Sequence, residues 1–377
     1  MSTTEDPGLS LWKYSDSLGT LPDEYEDIEP EERQRRIERA KDELGDDVVV
    51  LGHNYQRRSV TRHADFLGDS LELSRRAADA SADHVVFCGV TFMAETADVV
   101  TDDDQKVILP SMEASCPMAG MAENVQIDTA WNELTDVVPE KDVVPVTYVN
   151  SYASLKATTA DNGGACCTSS NARRVFEWAL DRGEKILFTP DRHLGHNTLH
   201  ALGYTDEDYV VWDPWQDELG GNTADDVRDA TFLLWEGFCQ VHERFTVEDV
   251  EKTRERHPGV NVIVHPECRR EVVEAADQSG STSQIIDAVE SAPSGSTWAV
   301  GTEIHLTKRL ARENPDKTVV GLCADECSDC NAMRQIDPDF LLYALESLVD
   351  GEEVNVIEVD EGDAVLARKA IERMFSV

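Results

Sequence analysis

Cys116, Cys239 and Cys330 stand far apart in the chain, yet each closes a similar stretch of sequence. Thiolates hold iron–sulfur clusters, and a cluster held by only three of them keeps one iron open to a substrate. The other cysteines read differently. Cys88 lies in the apolar run HVVFCGV, where a free cysteine behaves as a small hydrophobe. Cys166 and Cys167 are adjacent, cannot easily serve one metal together, and are expected to be structural. Cys268 follows His265-Pro266-Glu267 and is expected to start a helix.

The elements that would position the three cysteines repeat three times. An apolar run ends in polar residues: VVVLGHNYQ from Val48, VVPVTYVNS from Val143 and VNVIVHPEC from Val260. A small hydroxyl motif then opens a helical pattern (GDSLELSRRAA, TSSNARRVFEWA, STSQIIDAVESA). The step from strand end to hydroxyl is 17, 19 and 16 residues: His53 to Ser70, Asn150 to Ser169, His265 to Ser281. A second apolar run and helix follow, then a short β-rich piece (KVILPSMEASC, DYVVWDPW, KTVVGLC) before the cysteine, directly or after an intervening helix. Internal repetition fixes architecture. Apolar runs alternating with helical patterns predict three pseudo-symmetric α/β domains with parallel sheets. Ligands in such domains lie beyond the carboxyl ends of the strands. His53, Tyr55, Tyr148, Asn150, His265 and Glu267 stand there, which predicts one central site shared by the three units.

The expected divisions are 1–120 for an N-terminal arm and the first repeat, 121–245 for the second, and 246–377 for the third with a C-terminal segment. Leu11, Trp12 and Tyr14 suit a packed arm. A helix is expected from Pro30, with Ile37, Ala40 and Leu44 as its apolar stripe. The middle repeat carries an acidic insertion, DPWQDELGGNTADDV, after Trp212. After Cys330 one helix, one strand and a final helix are expected, and 334–377 is too short for a further domain, so it should pack onto a unit already formed, such as the first.

The chain carries 75 acidic against 34 basic residues and a formal charge of -41. A nucleic-acid partner bound through a basic face is excluded by that balance. The charge reads as adaptation to high salt, where screening shortens from about 10 Å at 0.1 M to about 3 Å at 1 M and weakens self-repulsion. Thermal unfolding followed against KCl concentration checks this: the midpoint should rise with salt, and full stability without salt would end the idea. The acidic start, MSTTEDPGLS, is unlike a signal peptide, and no apolar run approaches the roughly 20 residues of a membrane span. A cytoplasmic protein with no membrane partner and reduced thiols is expected.

Cys323, Cys327 and Cys330 spell C-x3-C-x2-C, the spacing with which radical S-adenosylmethionine enzymes hold a cluster. The motif stands late in the chain, with too little sequence after it for their barrel, and Asp329 occupies a place those enzymes give to an apolar or aromatic residue. A zinc site would need a fourth ligand at metal spacing, and none is adjacent.

The runs LGHNYQ, GDS, FMAETA, SCPMA, YVNSYASLKA, CTSSNA, PDRHLG, EGFCQVH, HPEC, GSTS and GTE, in this order over about residues 46–335, resemble the quinolinate synthase family. The resemblance implies condensation of iminoaspartate with dihydroxyacetone phosphate to quinolinate in NAD biosynthesis, with loss of phosphate and two waters. It implies a [4Fe-4S] cluster on Cys116, Cys239 and Cys330, whose open iron acts as a Lewis acid. It also implies substrate contacts at His53, Ser70, Tyr148, Asn150, Ser169, His265, Glu267 and Thr282. An aspartate oxidase or dehydrogenase is the expected supplier of iminoaspartate.

Ser70, Ser169 and Ser281-Thr282 stand where helices begin, so N-capping would explain a hydroxyl there as well as anion binding does. For proton transfer the candidates are Tyr55, His242 and Glu267, with His53 and His265 orienting substrate. His242, one helical turn past Cys239, is expected on the cluster side. Asn331 stands where the family often has proline after its last cysteine, and Cys327 with Cys330 offers the spacing of a redox-sensitive disulfide. A simpler hydro-lyase on the same cluster and a non-enzymatic oxygen sensor are the competing functions.

Overall fold

The computed structural model describes residues 21–323 and 328–377. The arm at Leu11, Trp12 and Tyr14, and Cys327 of the redox-sensitive pair whose spacing the sequence offers, lie outside them. Helix α1 (Pro30–Leu44) starts on the proline, whose fixed φ suits a first turn, and carries Glu31 and Glu32 at its positive end. Its Ile37 and Ala40 are buried.

The first sheet takes β1 (Val48–His53), β2 (Phe66–Gly68), β3 (His84–Cys88) and β4 (Lys106–Ile108), joined by α2 (Arg58–Thr61), α3 (Ser70–Ala78) and α4 (Thr91–Val100). These strands are parallel and lie in the order β4-β3-β1-β2. Helix α5 (Asn124–Val137) leads to the second sheet. That sheet holds β5 (Val143–Tyr148), β6 (Ala165–Cys167), β7 (Lys185–Thr189), β8 (Tyr209–Trp212) and β9 (Phe232–Trp235), with α6 (Ala153–Asp161), α7 (Ala172–Leu180), α8 (Arg192–Ala201) and α9 (Ala224–Asp229) between them. Its order is β6-β5-β7-β9-β8, again parallel. Helix α10 (Val247–Arg256) precedes the third sheet, β10 (Asn261–Val264), β11 (Gln278–Ser279), β12 (Thr297–Gly301) and β13 (Thr318–Gly321), with α11 (Arg270–Ala275), α12 (Thr282–Ser291) and α13 (Ile304–Glu313). The order there is β11-β10-β12-β13, also parallel.

Each sheet therefore sets its first strand between its second and third, and the expected class of repeated parallel α/β units holds. The run DYVVWDPW forms a strand, β8, separated from Cys239 by α9 as expected, though it lies at the outer edge of its sheet. The place equivalent to β4 and β13 belongs to β9, whose four residues are all buried and apolar. Such a run shows no alternation and gives no strand period to read.

The last segment ties units together. Helix α14 (Asn331–Arg334) follows Cys330, and α15 (Pro338–Val349) packs on α1 with ion pairs Arg33–Asp339 at 2.7 Å and Arg36–Glu346 at 2.5 Å. Strand β14 (Val356–Ile357) pairs antiparallel with β4. Helix α16 (Glu361–Ser376) lies along α6 and β6 of the second sheet and buries Ala367, Ala370, Ile371 and Met374. Cys88, Cys166, Cys167 and Cys268 are all buried in cores. Among the described residues no helix is long and apolar enough to cross a membrane.

Candidate active site

The carboxyl ends of β1, β5 and β10 open on one cleft, as expected of parallel α/β units. Cys116, Cys239 and Cys330 all line it, one from each repeat. The local backbone treats the three sulfurs alike. Cys116 stands just before a short helical turn (Pro117–Met121), and the backbone N–H groups of Met118 and Ala119 near its sulfur pull the thiol down. The N–H of His242 acts in the same sense on Cys239, and those of Ala332 and Met333 on Cys330, the residue before α14. Such N–H groups favour the thiolate. Burial opposes them, pushing the Cys116 thiol up to about 11, Cys330 to about 12 and Cys239 well above the usual range. Cys239 also feels the charge of both other thiols. Three half-buried thiols brought together in one cleft, each with backbone N–H groups that favour its thiolate, are a donor set that suits a cationic iron–sulfur cluster.

Beside the cysteines runs a continuous hydrogen-bonded chain of side chains. Tyr148 donates its hydroxyl to Glu267 Oε1 at 2.5 Å, and Glu267 Oε2 lies 2.6 Å from His242 Nδ1. His242 Nε2 lies 3.0 Å from Thr302 Oγ1, which lies 2.8 Å from the Tyr55 hydroxyl. Thr282 Oγ1 is 3.3 Å from that same hydroxyl. Burial alone would raise the Glu267 carboxyl. The neighbouring imidazoles of His265 and His242, with hydrogen bonds from His242 and Tyr148, reverse this and hold it below the usual carboxylate range. Burial, reinforced by the charge of Glu267, pushes the Tyr55 and Tyr148 phenols well above theirs. At neutral pH the chain thus runs from a carboxylate to a protonated phenol.

His53 and His265 occupy equivalent turns. The Tyr55 N–H donates to His53 Nδ1 at 3.1 Å, and the Glu267 N–H donates to His265 Nδ1 at 3.3 Å. A ring nitrogen that accepts cannot carry the proton, so Nε2–H is left as a donor. Burial lowers the two imidazoles to about 4 and about 3, so both are neutral at pH 7.

The hydroxyl motifs meet at the far side of the cleft. Ser70 and Thr282 are the first residues of α3 and α12, and Ser169 lies in the turn before α7. All three line the cleft. Capping falls elsewhere in two of the three units: Asp69, not Ser70, caps α3 through the N–H groups of Leu71 and Glu72, and Ser169 caps nothing. Only Ser281 serves as a serine cap, for α12. Asp69 also joins the repeats, since its Oδ2 accepts from Ser170 at 3.0 Å and Ser283 at 2.8 Å.

Of the residues singled out in the sequence, His53, Tyr55, Ser70, Tyr148, Asn150, Ser169, His265, Glu267, Thr282 and the three cysteines share this cleft. Asn150 Oδ1 is buried with no hydrogen-bond partner among the described residues, an acceptor available to a ligand. His242 lies close to Cys239, as expected, but does not line the cleft itself: its side chain is 1% exposed, with both ring nitrogens engaged. Asp69, Thr168, Ser170, Ser283 and Thr302 were not singled out. The repeated GDS, TSS and STS motifs carried a signal for the first four, whereas Thr302 in GTE gains its partners only through the ending of β12 beside β10.

A sequence model of the family described as Quinolinate synthetase A protein matches residues 35–376. The chain is 60% identical over 369 residues to the quinolinate synthase of Halobacterium salinarum, covering 98% of each protein. It is 59% identical to that of Haloarcula marismortui, again over 98% of each. Against that of Corynebacterium glutamicum it is 50% identical over 358 residues, 95% of this chain and 90% of the relative.

Proposed function

The chain belongs to the quinolinate synthase family of NAD biosynthesis, and from that premise we propose that it condenses iminoaspartate with dihydroxyacetone phosphate, releasing phosphate and two waters. The observation that carries this reading is the single cleft in which three thiols face a carboxylate–imidazole–phenol chain. Cys116, Cys239 and Cys330 would hold a [4Fe-4S] cluster, which supplies when bound a Lewis-acidic iron that eases loss of hydroxide.

The protein's own groups divide the remaining work. The Nε2–H groups of His53 and His265 are neutral donors suited to substrate carboxylates, since neither brings a charge that would change near neutral pH. Ser70, Ser169 and Thr282 offer hydroxyls where three helices start, a favourable setting for carboxylate and phosphate oxygens. Glu267, ionised and lining the cleft, is the base that removes a proton from the condensing carbon. His242 and Thr302 connect it to Tyr55, so a proton taken at Glu267 can be matched by one delivered from the phenol to a departing hydroxyl. Asn150 Oδ1 accepts from the imine or a substrate hydroxyl. Iminoaspartate is short-lived in water, so an aspartate oxidase or dehydrogenase is its expected source. The relatives from Halobacterium salinarum and Haloarcula marismortui support reading the charge as high-salt adaptation.

The test is product formation. Protein purified without oxygen in high KCl should convert the two substrates to quinolinate. A hydro-lyase or a sensor would form no pyridine ring, so a folded, iron-loaded chain without product would overturn the reading.

A further inference from the structure

Away from the cleft, His196 and His200 lie four residues apart on α8 and therefore on one face of it. Their Nε2 atoms approach each other to 3.2 Å. Asp206, in the turn before β8, closes the group: its Oδ1 is 2.7 Å from His196 Nε2 and 2.9 Å from His200 Nε2. We propose that these three side chains form a binding site for a divalent transition metal ion of borderline softness, zinc being the natural test case.

Donor type and geometry both point this way. Imidazole and carboxylate suit zinc and its neighbours, which outcompete magnesium or calcium at nitrogen ligands. Two nitrogens at ~2.0–2.1 Å from a tetrahedral ion lie ~3.3 Å apart, and a carboxylate oxygen falls at a similar distance from each. The observed triangle has nearly those edges, so an ion enters by a small outward movement of the Asp206 carboxylate. That movement is available because the Asp206 side chain is 73% exposed, while those of His196 and His200 are 14% and 20% exposed. The Tyr209 ring, 4.6 Å from that of His196, backs one ligand, and the exposed Asp206 side faces solvent, a source of water as a fourth. The turn that presents Asp206 is itself fixed: Asp208 Oδ2 accepts from the Thr205 N–H at 2.7 Å and its hydroxyl at 3.0 Å.

The ion would pin the last turn of α8 to the chain that enters β8. The same helix carries Asn197, whose amide donates to Pro266 O and Cys268 O, both at 2.8 Å, on either side of Glu267. The site is thus a structural clip on a helix that supports the cleft, and its ligands are outside the reacting groups.

The experiment loads the protein with iron and sulfide under argon, equilibrates it with a small excess of zinc, removes unbound metal and counts zinc by mass spectrometry. Wild type and Cys330→Ala should each retain one zinc per chain. His200→Asn and the surface variant Asp206→Asn should lose it, with affinity down by roughly 100-fold or more, beyond the 10- to 100-fold cost of removing an outer-shell partner. Zinc should raise the unfolding midpoint of wild type and not of His200→Asn, with quinolinate formation by that variant unchanged. Zinc absent from wild type, kept by both His200→Asn and Asp206→Asn, or lost only with Cys330 would overturn the proposal.

Discussion

Cys330→Ala should abolish quinolinate formation, by a factor of about 10³ or more, while the chain stays folded. Removing one of three thiolates leaves two, too few to hold a four-iron cluster in place. On the proposed reading, the Lewis acid lost with it is worth several kcal/mol at the transition state, and each 1.36 kcal/mol is about tenfold in rate. Folding should survive because Cys330 is only half-buried and is followed by a single short helix, so alanine removes one sulfur without opening a core. Iron and sulfide analysis after anaerobic loading, with circular dichroism as the check on folding, measures this. Cys166→Ala is the informative contrast. That thiol is buried between β6 and α16 and lines no part of the cleft, so its loss should weaken packing but leave iron content at the wild-type level. Equal iron in Cys330→Ala and wild type would remove the cysteine from the cluster.

Much of this was legible in the sequence, and for a physical reason. The runs at Val48, Val143 and Val260 end where a parallel strand must stop and hand its next residues to a ligand, so their final polar residues identify the cleft. Elements that owe their form to partners were not legible. Strands β2, β6 and β11 are two or three residues long and exist because β1, β5 and β10 lend them register. Strand β9 was hidden by being buried on both faces. The same division holds within the site. His53 and His265 could be named from sequence, but their tautomers follow from backbone N–H groups two residues on, which only the folded turn aims at the rings. Asp69 stands beside the hydroxyl of the first motif, and its bonds to Ser170 and Ser283 depend on three helix starts meeting. His196 and His200 had a visible helical spacing, but their convergence on Asp206 depends on the turn after α8.

Glu267→Gln should lower kcat by about 10²- to 10⁴-fold, the usual worth of a positioned acid or base, with KM changed far less. The substitution keeps size and shape, and the glutamine carbonyl can still accept from Tyr148, so the cleft and its donors at His53, His265 and the three hydroxyls remain. What is lost is the charge. In the folded protein that charge persists throughout the neutral range, because the carboxyl is held below its ordinary value of 4.5. Lowering the pH from about 8 to about 6 should therefore not titrate Glu267, and the acid limb it causes lies below the ordinary carboxylate value. Thr302→Val separates the base from the chain behind it. Valine fills the space of threonine but breaks the link between His242 Nε2 and the Tyr55 hydroxyl, leaving Glu267 paired with His242. If the chain carries protons from Glu267 to Tyr55, this variant loses kcat at unchanged KM and shows a larger solvent isotope effect than wild type. If Glu267 only grips a substrate cation or hydroxyl, Glu267→Gln raises KM instead and Thr302→Val is silent, so the two variants together decide between proton transfer and binding.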